Sequence, residues 1–295
     1  MNVLLVGNNG MLARDIEPRL KSAGYNVTGI DIDELDITRS GDVKLCMDSR
    51  CPDIVINCAA YTAVDKAESE TELAFKVNKN GPENLALACN RMNIPLIHIS
   101  TDYVFNGAAT IPYKEDDKAN PMSVYGKSKW EGEEAIRNCL NNHLIIRTAW
   151  LYGVNGNNFV KTMIRLAKER EEIRVVNDQK GCPTWTGDLS DALVAMVNRI
   201  TKQQKDVKWG TYHYCGDGIT SWHGFTEAII SKAKEWESFR IQKILPIPTT
   251  EYPTPAKRPM WSAMDCTKLN KAFGIRNKDW KQGLSDMLEE LYRTK

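Results

Sequence analysis

Short, β-branched apolar runs alternate with longer amphipathic stretches through the first half of the chain, and this rhythm constrains the fold more than any other feature. Residues 2–6, 26–31, 53–57, 95–100 and 143–148 read as strands. Helical stretches over 11–23, 40–48, 64–92 and 125–140 fall between them. Strands that are hydrophobic almost without interruption are expected where helices cover both faces of a sheet. Strand–helix alternation at this spacing predicts an α/β fold with a parallel, doubly wound sheet. After Trp150 the rhythm becomes irregular: helices are expected over 158–172 and 188–200, with strand-like 173–176 between them, and 211–215 returns to the sheet. Five of the twelve prolines lie within 244–259, so that stretch is no regular helix. Helices near 266–273, stopped by Gly274, and near 280–292 close the chain.

The first strand runs straight into Gly7-Asn-Asn-Gly10-Met11-Leu12-Ala13, which opens the first helix. Glycines permit a tight turn and let a pyrophosphate approach the backbone, where a helix N-terminus stabilises negative charge. The spacing is GxxGxxA rather than GxGxxG, so the loop alone also suits a plain strand–helix turn. Asp31 adds weight, since it ends the second strand twenty-one residues after Gly10. An acid there can bind both hydroxyls of an adenosine ribose. These features point to a Rossmann-type sheet formed by residues 1–150 with about 186–220. Residues of about 151–185 and 221–295 then form a smaller α+β lobe for the second ligand.

Tyr125-Gly-Lys-Ser-Lys129 carries the chemistry. Residues four apart share a helix face, so Tyr125 and Lys129 point into one site. A neighbouring ammonium favours the phenolate and eases proton donation from a group that ordinarily titrates near 10. The YxxxK spacing is common on solvated helix faces; it gains meaning from Ser100-Thr101-Asp102 at the C-terminal end of a preceding strand, where such sheets place ligands. Thr101 is placed to share a substrate carbonyl oxygen with Tyr125.

Taken together, Gly7–Ala13, Asn57-Cys-Ala-Ala60, Ser100-Thr-Asp-Tyr-Val-Phe105 and Tyr125-x-x-x-Lys129 resemble the extended short-chain dehydrogenase/reductase family. Within it the chain is similar to the dTDP-4-dehydrorhamnose reductases, through 63–69, 147–153, 156–159 and 177–184; the resemblance is specific from Met1 to about Asp191 and thin beyond. It implies NAD(P)H-dependent reduction of a dTDP-4-keto-6-deoxy sugar, with Tyr125 as general acid, Lys129 as its partner and Thr101 tuning it. It further implies Gly7, Gly10, Met11 and Leu12 at the pyrophosphate, Asp31 at the ribose and Asp36 with Ile37 at the adenine. Ala60, Tyr61 and Thr62 would line the cofactor, and Thr101, Asp102 and Trp150 would contact the nucleotide-sugar, with Asn158 and Gln179 as further candidates. Asp31 would repel a 2′-phosphate and favours NADH, whereas the family is usually described with NADPH and Arg39 stands near enough to offset the acid; use of both is expected. Cys58 and Cys182 stand where the family often has Ala. Some members pair through magnesium held by glutamates; Asp15 and Glu289 or Glu290 are too little to predict a metal here, and a homodimer stays open. Two alternatives remain: a sister reductase of different stereochemistry, and a non-catalytic regulatory subunit like the dinucleotide-binding partner of methionine adenosyltransferase.

Composition narrows the partners. Thirty-nine Lys and Arg against thirty-eight Asp and Glu leave a net charge of +1, with no chain-wide footprint for nucleic acid or an anionic membrane. No stretch approaches the roughly 20 apolar residues of a membrane span. The eight cysteines are scattered, without a CxxC pair, and His213 with Cys215 is a weak metal signal. They read as reduced thiols in a cytoplasmic protein. Two pyrophosphate ligands on a neutral chain require local helix N-termini and a few cations to do what net charge does not.

Overall fold

The computed structural model describes residues 1–203 and 206–293. Its first half runs β1 (Asn2–Val6), α1 (Met11–Ser22), β2 (Asn26–Ile30), α2 (Ser40–Arg50), β3 (Ile54–Asn57), α3 (Val64–Ala67), α4 (Thr71–Phe75), α5 (Gly81–Met92), β4 (Leu96–Thr101), α6 (Val124–Cys139) and β5 (His143–Thr148). The second half contributes β6 (Leu151–Tyr152), α7 (Phe159–Glu169), β7 (Glu172–Val176), β8 (Lys180–Gly181), β9 (Thr184–Trp185) and α8 (Thr186–Gln203). It continues with β10 (Gly210–His213), β11 (Thr220–Ser221), α9 (Trp222–Ala233), β12 (Lys243–Ile247), α10 (Thr267–Phe273) and α11 (Trp280–Arg293). Among the described residues no helix is long and apolar enough to cross a membrane.

Six strands form one parallel sheet in the order β10-β5-β4-β3-β1-β2. Successive side chains of a strand face opposite sides of the sheet, and here both sides are covered. Val3, Leu5, Ile54, Ile56, Leu144 and Ile146 pack with Ile16 and Leu20 of α1 and Leu193 and Met196 of α8. Their neighbours Leu4, Val6, Val55 and Ile145 pack with Met47 of α2, Leu85 of α5 and Ile136 of α6. Chain order reverses between β1 and β3, and the crevice beyond their C-terminal ends is where doubly wound sheets take ligands.

The remaining elements form separate clusters. Val160 and Ile164 of α7, Ile173 of β7, Phe225 and Ile229 of α9 and Leu284 of α11 share one core. β12 pairs in parallel with β7, which gives the proline-rich stretch a short strand at its start. Leu269 and Phe273 place α10 on the main sheet rather than on that cluster.

The stretch expected as one helix over 64–92 breaks at residues 68–70, between α3 and α4, and α4 runs into α5 through a π-helical turn at Lys76–Asn80. Asn78 accounts for the widened turn. Its buried side chain leaves the helix to accept from the Tyr61 amide (2.8 Å) and donate to the Tyr61 carbonyl (3.1 Å) and Ser128 Oγ (3.0 Å). A π-bulge of this kind re-aims a side chain without ending the helix. It also brings the Asn78 carbonyl against α6 at Gly132, where a Cβ would lie 2.0 Å from the oxygen. Gly132→Ala is therefore expected to lose about 1–3 kcal/mol of stability from overpacking, seen as a lower urea midpoint at unchanged m-value. An unchanged or higher midpoint would show that the crossing has room to open.

Candidate active site

One cleft of about 780 Å³ lies over the strand ends between β1, β3 and β4 and gathers most of the residues singled out by sequence. Gly7 sits at φ +81°, and a Cβ there would meet the Ala59 amide nitrogen at 2.6 Å. Only glycine satisfies both the backbone and the close passage of the segment after β3. Gly10 is the N-cap of α1 and supplies no side-chain cap; the first turn has no acidic residue. The amides of Met11, Leu12 and Ala13 thus present positive charge to the cleft, the arrangement that suits a pyrophosphate.

Asp31 shapes this loop from the next strand. One carboxylate oxygen accepts from the Asn9 amide at 2.7 Å and the other from the Ile32 amide at 2.8 Å. Asp36 and Ile37 line the same end of the cleft. Asp36 is held below the ordinary carboxylate range chiefly by the Thr38 hydroxyl, 2.7 Å away. Arg39 pairs with Asp36 at 3.4 Å, so its charge is directed there rather than to Asp31. Ala60 and Thr62 also line the cleft. Tyr61 does not share it: its hydroxyl turns away to donate to Glu70 at 2.5 Å.

The opposite end holds Tyr125, Lys129 and Thr101. Ser123 caps α6 by accepting from the Gly126 amide at 3.1 Å, which sets Tyr125 in the first turn and Lys129 one turn on, both facing the cleft. Burial pushes the Tyr125 phenol above its usual range, and a hydrogen bond with Thr101 works against that rise. Thr101 ends β4; its hydroxyl donates to Asp102 at 3.0 Å and accepts from the Tyr103 amide at 3.2 Å. Burial raises Asp102 to about 6 against hydrogen bonds from Ser262 and Thr101. Its second oxygen is buried without a protein partner. Lys129 does not approach Tyr125 as a simple ion partner: its Nζ donates to the Ile99 carbonyl at 2.7 Å and lies 3.2 Å from His98 Nε2. Burial lowers it to about 8, against the pull of Glu133 and Cys58.

α6 is anchored beneath the site by Glu133, which is fully buried. It accepts from Ser100 Oγ on β4 at 2.5 Å, from Arg147 Nη2 on β5 at 2.7 Å and from Arg137 Nη2 at 2.6 Å. Burial works to raise this carboxyl, but the Arg147 guanidinium, with Arg137 and Ser100, outweighs it and leaves its pKa below the usual value. Sequence reading found Tyr125 and Lys129 and missed this support, because charges at 133 and 147 show no local spacing that ties them together. His98 and Asn57 went unassigned for the same reason.

Trp150 lines the cleft at φ +48°, an uncommon conformation for a bulky residue. Trp222 stacks on it with ring centroids 3.5 Å apart, and a Cβ on Gly181 would strike the indole at 2.5 Å. Gln179 lies behind this pair and accepts from Trp222 Nε1 at 3.2 Å. Asn158 caps α7, accepting from the Lys161 amide at 3.2 Å and donating to the Gly153 carbonyl at 2.7 Å. Neither side chain is part of the cleft lining. Asp15 is engaged by the Thr186 hydroxyl and by Asn155 Nδ2 at 2.7 Å, and no group of three His, Cys, Asp or Glu among the described residues is arranged to hold a metal.

The sequence matches the family described as RmlD substrate binding domain over residues 1–293. The chain belongs to that family. A curated member, the dTDP-4-dehydrorhamnose reductase of Aggregatibacter actinomycetemcomitans, is 42% identical over 287 residues, 97% of each chain. The crystal structure of a dTDP-4-dehydrorhamnose reductase from Clostridium acetobutylicum has a TM-score of 0.91 at 40% identity, covering 99% of both chains. That of Bacillus anthracis, in complex with NADP, has a TM-score of 0.90 at 38% identity, covering 98% of this chain and 99% of that one. Membership of the RmlD family gives the shared cleft a context: the glycine loop and the Tyr125–Lys129 helix address one space from opposite sides.

Asp102 ties this geometry to stability. A carboxyl raised to about 6 when folded binds its proton more tightly than in the unfolded chain, so the folded state loses stability as pH climbs from about 4 through 6. Asp102→Asn is expected to melt above wild type at pH 7, with the two Tm values converging towards pH 4. A difference independent of pH would contradict the charge-burial account.

Proposed function

We propose that this chain catalyses NAD(P)H-dependent reduction of the C4 ketone of dTDP-4-dehydro-L-rhamnose to dTDP-L-rhamnose. The observation that carries the reading is the meeting, in one cleft of an RmlD-family chain, of a glycine loop with uncapped helix amides and the side chains of Thr101, Tyr125 and Lys129. The nicotinamide cofactor supplies the hydride when bound. The residues fit it: the space a Gly7 Cβ would fill is closed to any other side chain, the α1 amides are unopposed by acid, and Asp31 stands at the end of β2. Asp31 favours an unphosphorylated ribose, yet it is already engaged by two loop amides, so use of both NADH and NADPH is the expected outcome.

Tyr125 gives its phenolic proton to the oxygen that forms at C4. Burial keeps the phenol protonated at neutral pH, so the acid is present in the form the step consumes. Thr101 orients the phenol and the ketone oxygen. Protonated Lys129 stabilises the phenolate left behind; both effects are strongest in a cleft that excludes water. Asp102, with one oxygen unpartnered, accepts from a sugar hydroxyl, and Trp150 offers its indole face to the deoxysugar. In this reading the main sheet holds the dinucleotide, and the segments around 151–185 and 221–295 close over the nucleotide-sugar. Eight free thiols fit a reducing, cytoplasmic setting.

Tyr125→Phe is expected to lower kcat by about 10²–10⁴-fold while leaving cofactor binding intact. Stopped-flow oxidation of NAD(P)H on adding the ketosugar measures it, and full activity in the variant would remove Tyr125 from the acid role.

A further inference from the structure

Trp150 lines the cleft on a backbone conformation that bulky residues rarely adopt, so its indole needs support from outside the cleft. That support is Trp222, the first residue of α9, to which the mechanism above gives no task. The two rings lie 3.5 Å apart and 7° from parallel, and among the described residues this is the one aromatic stack that Trp150 makes. Phe159 of α7 also packs on Trp222, with ring centroids 4.5 Å apart. The backbone of Trp222 is equally fixed. Ser221 caps α9, accepting from the Gly224 amide at 3.0 Å and donating to Asn177 Oδ1 at 2.6 Å. β11 pairs with β8 at Gly181, the glycine that leaves room for the Trp150 indole.

The edge of the Trp222 ring is held by a hydrogen-bond chain with a single sense. An indole N–H only donates, and here it gives to Gln179 Oε1 at 3.2 Å. Gln179 is buried, and its Nε2 donates to Thr249 Oγ1 at 3.1 Å. The Thr249 hydroxyl spends its own proton on Asp178 Oδ1 at 2.6 Å, and the Thr249 amide gives to the same carboxylate. A reversed Gln179 carboxamide would set donor against donor at the indole, so the chain fixes the plane of Trp222 as well as its place. We infer that Trp222 is a positioning residue for the nucleotide-sugar: it holds the Trp150 indole in the setting that lines the cleft, and Gln179 holds Trp222. The inference rests on the reading above, in which Trp150 meets the deoxysugar. Gln179, which the sequence places at the substrate, thus acts on it through two indoles.

A wall held in advance costs an incoming ligand nothing to order, whereas a loose side chain must be ordered as the ligand binds. Without Trp222 the Trp150 indole is free to leave the cleft wall, and the sugar either loses the contact or orders it at a cost. The Trp150 contact is made alike to bound sugar and to transition state, so its loss enters KM more than kcat. The dinucleotide is spared, because the glycine loop and Asp31 stand at the other end of the cleft.

Four measurements on the full chain test this: ketosugar kinetics, calorimetric binding of dTDP-L-rhamnose, fluorescence titration with NADPH and far-ultraviolet circular dichroism. Stacked indoles give an exciton couplet, and Trp150 with Trp222 is the one such pair among the described residues, so the couplet should vanish alike in Trp150→Phe and Trp222→Phe. Trp222→Leu is expected to weaken dTDP-L-rhamnose binding and raise KM roughly 3–10-fold, what an aromatic stack is worth, with a smaller effect on kcat and NADPH affinity kept. Trp222→Phe restores a ring and should recover most of that loss. Gln179→Met keeps the ring but removes its anchor, and should weaken both the couplet and sugar binding. Unmoved KM and sugar affinity in whichever of Trp222→Leu and Gln179→Met folds overturn the inference. A parallel loss of NADPH affinity overturns it too, since that marks general loosening. If wild type binds dTDP-L-rhamnose, and Trp222→Leu binds it more weakly, yet no ketosugar is reduced, the reaction assigned above fails and the positioning role stands.

Discussion

Glu133 is the residue on which the geometry of the site depends. It has no contact with solvent, yet it receives Ser100 from β4, Arg147 from β5 and Arg137 from its own helix. A carboxylate placed there alone would cost several kcal/mol of desolvation, and two guanidinium groups with a hydroxyl make it tolerable. Removing one partner of such a pair typically costs about 3–5 kcal/mol, so the cluster resists piecemeal change. Its consequence is positional. The cluster ties α6 to β4 and β5, which leaves Tyr125 beside Thr101 and Lys129 at the Ile99 carbonyl, both facing the cleft. Tyr125 and Lys129 are thus held by an ion cluster lying below them, outside the cleft lining.

Above that anchor the protein buries an unusual number of titratable groups close together. Burial drives Tyr125, Asp102 and Cys58 towards their neutral forms and lowers Lys129 and His98. Each is a cost in folding and an advantage in chemistry. Donors and charges held in place in a low-dielectric site answer charge that develops on a substrate oxygen more strongly than they would in water. The strained backbone at Trp150, braced by Trp222 and by the absence of a side chain at Gly181, belongs with these costs.

Much of the fold was legible because its causes are local. Strands buried on both faces announce themselves as unbroken apolar runs, and all five of the first half were read within a residue or so of β1 to β5. The glycine loop was legible because backbone conformation demands glycine. The π-turn within 64–92 is not legible because Asn78 spends its side chain on Tyr61 and Ser128, partners far away in sequence. Tyr61 likewise leaves the expected cofactor surface for Glu70, nine residues away. Asn57, His98 and Glu133 receive no role from the sequence, since their meaning lies in who faces them. An ammonium beside a tyrosine reads from sequence as a simple ion effect; only the fold shows that the lysine's nearest partners are a carbonyl and an imidazole.

The account stands or falls on whether this cleft delivers a hydride to C4 of the nucleotide-sugar. The direct measurement is NMR of the product formed from dTDP-4-dehydro-L-rhamnose with nicotinamide cofactor deuterated at its hydride position. One deuterium at C4, in the rhamno configuration, is the predicted result. Label at another carbon, the opposite C4 configuration, or cofactor bound without any transfer would contradict it.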